Sequence, residues 1–115
     1  MKITVLGARG FIGSALYQKL KSSGYEVIAL YKPDFDLNNP STYHRIPPDT
    51  DVIIHAAGYV GTSPRDDIIW ETNVHSTYTL ACHLNEHVGL HRLVYLSSGA
   101  VYGMQTQMIN STSPV

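Results

Sequence analysis

The sequence is short of cysteine, of net charge and of long apolar runs, and each shortage excludes something. A single cysteine, Cys82, among 115 residues cannot build an internal disulfide framework, and it fits a reducing compartment, so a cytoplasmic location is expected. Eight basic and nine acidic residues leave a formal net charge of −1, which gives no electrostatic footing on nucleic acid, and no nucleic-acid partner is expected. Apolar runs such as Val52 to Ile54 fall far below the ~20 residues of a membrane helix, so no membrane partner is expected either. The short apolar start runs into glycines rather than a cleavage site, which speaks against a signal peptide. No internal repeat or low-complexity tract is present.

What is there is an ordinary globular composition, 43% hydrophobic and 15% charged, with length for one domain that buries ~65% of its unfolded surface. Lys2 to Leu6 (KITVL) stops at Gly7 and reads as a buried strand. From Phe11 to Ser23, Ile12, Leu16 and Leu20 recur at helical spacing with Phe11 and Ala15 beside them, and Gly24 stands where a C-terminal cap belongs. Tyr25 to Tyr31 reads as a second strand and Pro33 to Pro40 as a turn-rich connection. Tyr43 to Ile46 has room for a turn or two of helix before Pro47 and Pro48. Asp51 to Ala56 (DVIIHA) is a third strand, after which Gly58 and Gly61 open a long polar loop. A helix is expected from Asp67 to His87 with Ile69, Asn73, Leu80, Ala81 and Leu84 on one face and Gly89 as its stop. Arg92 to Leu96 (RLVYL) is the last strand. Continuous apolar strands alternating with helices predict an α/β fold with a doubly wound parallel sheet covered on both faces. The domain is placed at residues 1–105, with a loose polar tail at 106–115.

Gly7-Ala8-Arg9-Gly10-Phe11-Ile12-Gly13 lies between the first strand and the first helix. There Gly7 permits a tight turn, Gly10 lets the backbone approach a pyrophosphate, and Gly13 lets helix and strand pack closely. The helix start adds free N–H groups and the positive end of a dipole. Three spaced glycines alone are only a glycine-rich turn; the strand, turn and helix around them point to a dinucleotide. The spacing is G-x-x-G-x-x-G rather than G-x-G-x-x-G.

LGARGFIGSAL, DVIIHAAG, ETNVHST and RLVYLSSGAVYG, in that order, resemble successive signatures of the extended short-chain dehydrogenase/reductase family, the NAD-dependent epimerases and dehydratases. The family holds nucleotide-sugar epimerases, dehydratases and reductases, and the resemblance covers nearly the whole chain. It implies a Rossmann-type sheet truncated after about strand 5. It also implies roles. Gly7, Gly10 and Gly13 hold the pyrophosphate, with N–H groups from Phe11 and Ile12. Asp36 and Leu37 bracket the adenine, and Ala56, Ala57 and Gly58 form the wall behind ribose and pyrophosphate. Asn73 matches the family's helix asparagine. Ser98, four residues before Tyr102 in S-x-x-V-Y-G, matches the catalytic serine or threonine, and Ser97 ranks below it.

In NAD-specific members an acid at the end of the second strand binds both ribose hydroxyls, and here that position is Tyr31, followed by Lys32. With Arg9, two cations could flank a 2′-phosphate, a pattern similar to the reductases that make GDP-fucose. The cofactor expected is therefore NAD(P), NADP favoured; the alternative is that Arg9 and Lys32 are solvated surface charges.

The family's chemistry also uses a tyrosine and a lysine at Y-x-x-x-K, some tens of residues after the serine. Within these 115 residues only Tyr17 and Lys21 have that spacing, in the first helix, and they read as coincidence. The expectation is the NAD(P)-binding portion of a nucleotide-sugar epimerase, dehydratase or reductase, with hydride transfer and a nucleotide-sugar partner in the complete enzyme and no turnover from this chain alone. The alternative is a non-catalytic dinucleotide-binding module. An open apolar edge at RLVYL predicts self-association or instability as a monomer.

Other residues carry weaker signals. His83, His87 and His91 are four apart, but Gly89 breaks the helix between them and no metal site is expected. His55 reads as a packed histidine and Cys82 as a core or boundary residue. Tyr59 and Trp70 flank the polar loop, where substrate contact and packing are both open.

Overall fold

The computed structural model describes residues 1–59, 66–98, 108 and 110–114. Four strands, β1 (Lys2–Leu6), β2 (Glu26–Leu30), β3 (Val52–His55) and β4 (Arg92–Tyr95), form one sheet in the order β2-β1-β3-β4. Every pair is parallel, and Leu6 lies level with Leu30 on one side and His55 on the other, with Tyr95 beyond His55. The chain therefore leaves β1 toward one side, makes β2, and returns across β1 to make β3. That reversal opens a crevice at the carboxyl end of β1, where open α/β sheets bind their ligands.

Both faces of the β2-β1-β3 part of the sheet are covered, as the continuous apolar strands predicted, whereas β4 is exposed along its length. On one face Ile3, Val5 and Ala8 pack with Leu20 of helix α1 (Phe11–Ser22) and with Val27, Ala29, Tyr31, Val52 and Ile54. On the other, Leu6, Leu30 and Ile53 pack with Phe35, Leu37, Tyr43 and Ile46, and with Leu80 and Leu84. The helical part of this second layer runs without a break through α2 (Asp66–Trp70), a π-helical turn (Glu71–His75) and α3 (Ser76–His87). Among the described residues no helix is long and apolar enough to cross a membrane.

The chain after β2 adds no strand to the described sheet, because turns consume its backbone groups. The Phe35 N–H donates to the Tyr31 carbonyl (3.0 Å) and the Asn39 N–H to the Asp36 carbonyl (2.9 Å). A 3-10 turn then spans Pro40–Arg45, starting earlier than the Tyr43 expected, with Asn39 Oδ1 accepting from the Ser41 N–H at its start. Tyr43 is buried in it, stacked on Phe35 with ring centroids 5.7 Å apart. Its hydroxyl donates to the Leu37 carbonyl at 2.6 Å, and burial, then the nearby Asp36 charge, pushes the phenol up to about 12.

Both helix faces differ from the sequence expectation. In α1 the buried or half-buried row is Gly13, Leu16, Tyr17 and Leu20, while Phe11, Ile12 and Ala15 are exposed. The cause is the close approach at Gly13, which turns that row toward the sheet and its neighbours outward. In the long helix the buried row is Thr72, Ser76, Leu80 and Leu84, while Ile69 and Ala81 are exposed. Half of that row is polar, so an apolar pattern alone misplaces the face. Ser76 Oγ donates to Asn38 Oδ1 (2.7 Å), and Asn38 Nδ2 donates to Thr72 Oγ1 (3.0 Å), which satisfies both buried hydroxyls from the loop after β2.

Candidate functional site

The first loop builds the site. Gly7 has φ of +80°, and a Cβ on it would lie 2.8 Å from the Ala56 carbonyl and the Ala57 Cα, so the turn after β1 is pressed against the chain leaving β3. A Cβ on Gly13 would fall 2.0 Å from the Gly7 carbonyl oxygen. Only glycine allows α1 to begin so close to the strand. Gly10 caps that helix without any side-chain hydrogen bond, and no acid stands in its first turn. The first backbone bond into the helix is from the Ser14 N–H to the Gly10 carbonyl (2.9 Å), so the N–H groups of Phe11, Ile12 and Gly13 precede it at the positive end of the helix, those of the exposed Phe11 and Ile12 outermost.

Two clefts meet at this turn. The larger, of about 690 Å³, is lined by Gly7, Arg9 and Gly10, by Tyr31 and Lys32, by Phe35 through Asn38, by Ala56 through Tyr59, and by Ile68 and Thr72. The smaller, of about 340 Å³, is lined by Ile12, His55, Ala56 through Tyr59, Asn73 and Tyr95 through Ser98. The Ala56-Ala57-Gly58-Tyr59 segment belongs to both and forms the ridge between them.

Charge is distributed unevenly. The Arg9 guanidinium sits 4.3 Å from the centroid of the Tyr31 ring, and neither Arg9 nor Lys32 has a carboxylate partner among the described residues. Asp36 is the acid of the larger cleft, and its Oδ1 accepts from the Asn38 N–H at 2.9 Å. Beneath the smaller cleft His55 is buried, with Nε2 3.0 Å from Thr77 Oγ1 and Nδ1 without a partner among the described residues. Burial lowers its pKa to about 4, so the ring is neutral near neutral pH.

A model of the family described as "NAD dependent epimerase/dehydratase family" matches residues 3–115. The chain belongs to that family. GDP-L-fucose synthase of Azorhizobium caulinodans is 37% identical over 65 residues, which are 52% of this chain and 20% of that enzyme. Among solved structures, a UDP-galactose 4-epimerase is 27% identical with a TM-score of 0.83 over 99% of this chain and 44% of its own. The UDP-glucuronic acid 4-epimerase of Bacillus cereus, in complex with NAD, is 25% identical with a TM-score of 0.79 over 97% of this chain and 44% of its own. RMD from Pseudomonas aeruginosa, complexed with NADPH, is 25% identical with a TM-score of 0.81 over 98% of this chain and 41% of its own. This member of the epimerase/dehydratase family thus spans about a fifth of the curated relative and about two fifths of these structures.

The residues singled out in the sequence of this family member fall around the two clefts. Gly7, Arg9, Gly10, Tyr31, Lys32, Asp36 and Leu37 line the larger, Ile12, Asn73, Ser97 and Ser98 the smaller, and Ala56, Ala57 and Gly58 both. Gly13 lies buried under the turn, and the Phe11 side chain points away, 94% exposed, leaving its backbone to the site. Asn73 faces the cleft from the π-helical turn, but its carboxamide is occupied by the backbone of Tyr59. Val101, Tyr102 and Gly103 of the serine motif lie outside the described residues.

Other residues fall away from the clefts or differ from expectation. Trp70 lines neither cleft, whereas Tyr59 lines both. Cys82 is exposed on α3 rather than packed. Tyr17 and Lys21 do meet, Nζ donating to the hydroxyl at 3.4 Å in a solvent-exposed bond, but at neither cleft. The His83 and His87 rings lie 4.8 Å apart, yet among the described residues no group of three or more metal-ligating side chains forms. Sequence reasoning missed Asn38 and Thr72. Asn38 stood in a run read as turns, and Thr72 was a polar residue on a face judged by its apolar members.

Proposed function

We propose that this chain holds the dinucleotide of a nucleotide-sugar epimerase, dehydratase or reductase. The observation that carries the reading is the seat at Gly7, Gly10 and Gly13. Its packing leaves no room for a Cβ at Gly7 or Gly13, and it ends in outward N–H groups with no acid to neutralise them. Those features fit a pyrophosphate. In this reading the glycine turn seats the pyrophosphate and the N–H groups of Phe11 and Ile12 hold the phosphates. Asp36 and Leu37 bracket the adenine in the larger cleft, and Ala56, Ala57 and Gly58 back the ribose. A bound nicotinamide would supply hydride exchange with the sugar. Ser98, at the rim of the smaller cleft, orients the reacting sugar oxygen by hydrogen bonding, with Asn73 and Ile12 as neighbours across it.

NADP is preferred to NAD in this proposal, because Arg9 and Lys32 bring two cations without carboxylate partners to the adenosine end of the larger cleft. The chain alone binds without turnover, since its one Y-x-x-x-K pair sits on α1 away from the smaller cleft. The reading includes a cytosolic setting, in keeping with one exposed, unpaired cysteine. It also includes self-association along β4, every residue of which is exposed.

Calorimetric titration with NADP⁺ and NAD⁺ tests the proposal. Saturable binding with NADP⁺ the tighter ligand is expected. No binding of either would sink the functional reading, and tighter NAD⁺ would sink the cofactor preference. Light scattering at high concentration should show species larger than a monomer.

A further inference from the structure

We propose that Tyr31 is a positioning residue for the 2′-phosphate of the cofactor, acting through Arg9. The inference rests on the reading that the larger cleft takes the adenosine half of a dinucleotide, and it explains how one long, flexible cation is made ready for it. The N–H groups of Gly7 and Ala8 both donate to the Leu30 carbonyl, at 2.9 and 3.2 Å. That shared acceptor ties the exit of β1 to the exit of β2 one residue before Tyr31, so Arg9 and Tyr31 emerge side by side.

The two partners differ in freedom. Tyr31 is held at its backbone, where its carbonyl accepts from the Phe35 N–H at 3.0 Å, and by packing against the cluster of Ile3, Val5 and Ala8. Arg9 is exposed and has no carboxylate partner among the described residues. Its guanidinium carbon lies 4.3 Å from the centroid of the Tyr31 ring, within cation–π range. A free arginine spreads over many rotamers, and ordering them is charged against binding. An anchored aromatic ring removes part of that cost before the phosphate arrives. The ring also puts no negative charge where an acid would repel a phosphate. Among the described residues Lys32 has no comparable ring contact, and it supplies charge.

The test is the NADP⁺ to NAD⁺ affinity ratio of the 115-residue chain, measured by calorimetry in Tyr31→Phe, Tyr31→Leu, Arg9→Ala and the Arg9→Ala/Tyr31→Leu double variant. Tyr31→Leu should weaken NADP⁺ roughly two- to fivefold, the factor of an exposed cation–π contact, and leave NAD⁺ unchanged. Tyr31→Phe should keep the wild-type ratio, and in the Arg9→Ala background the leucine should cost nothing more. If Tyr31→Leu does not fold, Tyr31→Met at similar volume carries the same comparison. Equal weakening of both dinucleotides would mean that the ring touches the shared adenosine, and this overturns the proposal. So would the same loss with and without Arg9. A wild-type chain that prefers NAD⁺ would overturn the cofactor reading itself. An NADP⁺ to NAD⁺ ratio that is undiminished in Tyr31→Leu would overturn only the role of Tyr31.

Discussion

Asn73 grips the backbone of Tyr59 at both ends: its Oδ1 accepts from the Tyr59 N–H at 2.8 Å, and its Nδ2 donates to the Tyr59 carbonyl at 3.0 Å. The side chain comes from the π-helical turn and the backbone from the chain just after β3, so the pair fixes the ridge between the two clefts. A Cβ on Gly58 would lie 3.2 Å from the same Oδ1, which shows how closely helix and loop approach. π-helical turns recur at functional sites, where one extra residue re-aims a side chain.

Asn73→Asp keeps the acceptor but replaces the donor with a carboxylate oxygen facing the Tyr59 carbonyl. The variant should lose about 1–3 kcal/mol of stability, and because the ridge borders both clefts it should also weaken NADP⁺. Thermal melting with and without NADP⁺ measures both effects. A variant that melts and binds like the wild type would show that the grip is dispensable.

Two glycine substitutions separate packing from backbone strain. Gly13→Ala places a methyl group 2.0 Å from the Gly7 carbonyl oxygen, so α1 must move off the sheet. A loss of about 2 kcal/mol or more is expected, together with loss of NADP⁺ binding. Gly24 also has positive φ, +88°, but nothing lies within 4 Å of a Cβ there. Gly24→Ala should cost only the left-handed strain, about 1–2 kcal/mol, with the NADP⁺ dissociation constant unchanged. Equal binding defects in the two variants would refute the distinction.

How far the sequence revealed the site depends on the kind of signal each residue carries. Gly7, Gly10 and Gly13 were legible because the need for a missing side chain depends on local spacing, and the strands were legible because both of their faces are apolar. The buried row of the long helix was not, since Thr72 and Ser76 are buried only because Asn38, more than thirty residues earlier, supplies their partners. The contact of Arg9 with Tyr31 depends on the alignment of Leu6 with Leu30, a fact of sheet register and not of local pattern.

The role of Asn38 can be tested directly. Asn38→Ala removes its bonds to Thr72 and Ser76 and leaves two buried hydroxyls to find other partners. Destabilisation of about 2 kcal/mol is expected, which in a domain this size lowers the melting temperature by roughly 10 °C. The Asp36-Leu37 rim then keeps its tie to the helix only through the Tyr43 hydroxyl, which bridges the Leu37 and Ser76 carbonyls, so NADP⁺ and NAD⁺ should weaken together. Unequal weakening would mean that Asn38 reads the 2′-position and does not simply hold the rim.

His55 makes stability depend on pH in a defined direction. Its folded pKa is lowered to about 4 by burial, from an ordinary value of 6.5. Between those values the unfolded chain binds a proton that the native chain does not, so stability rises with pH through the window and is complete above 6.5. Acidification from pH 7 to pH 4 should therefore cost about 3 kcal/mol through this one ring. His83 adds in the same direction, its pKa lowered by burial and by its neighbour His87. Urea unfolding across this range should trace the slope, and His55→Gln, which retains a polar side chain near Thr77 but has no proton to gain, should flatten most of it. A variant with the wild-type slope would place the linkage elsewhere and leave His55 with a packing role alone.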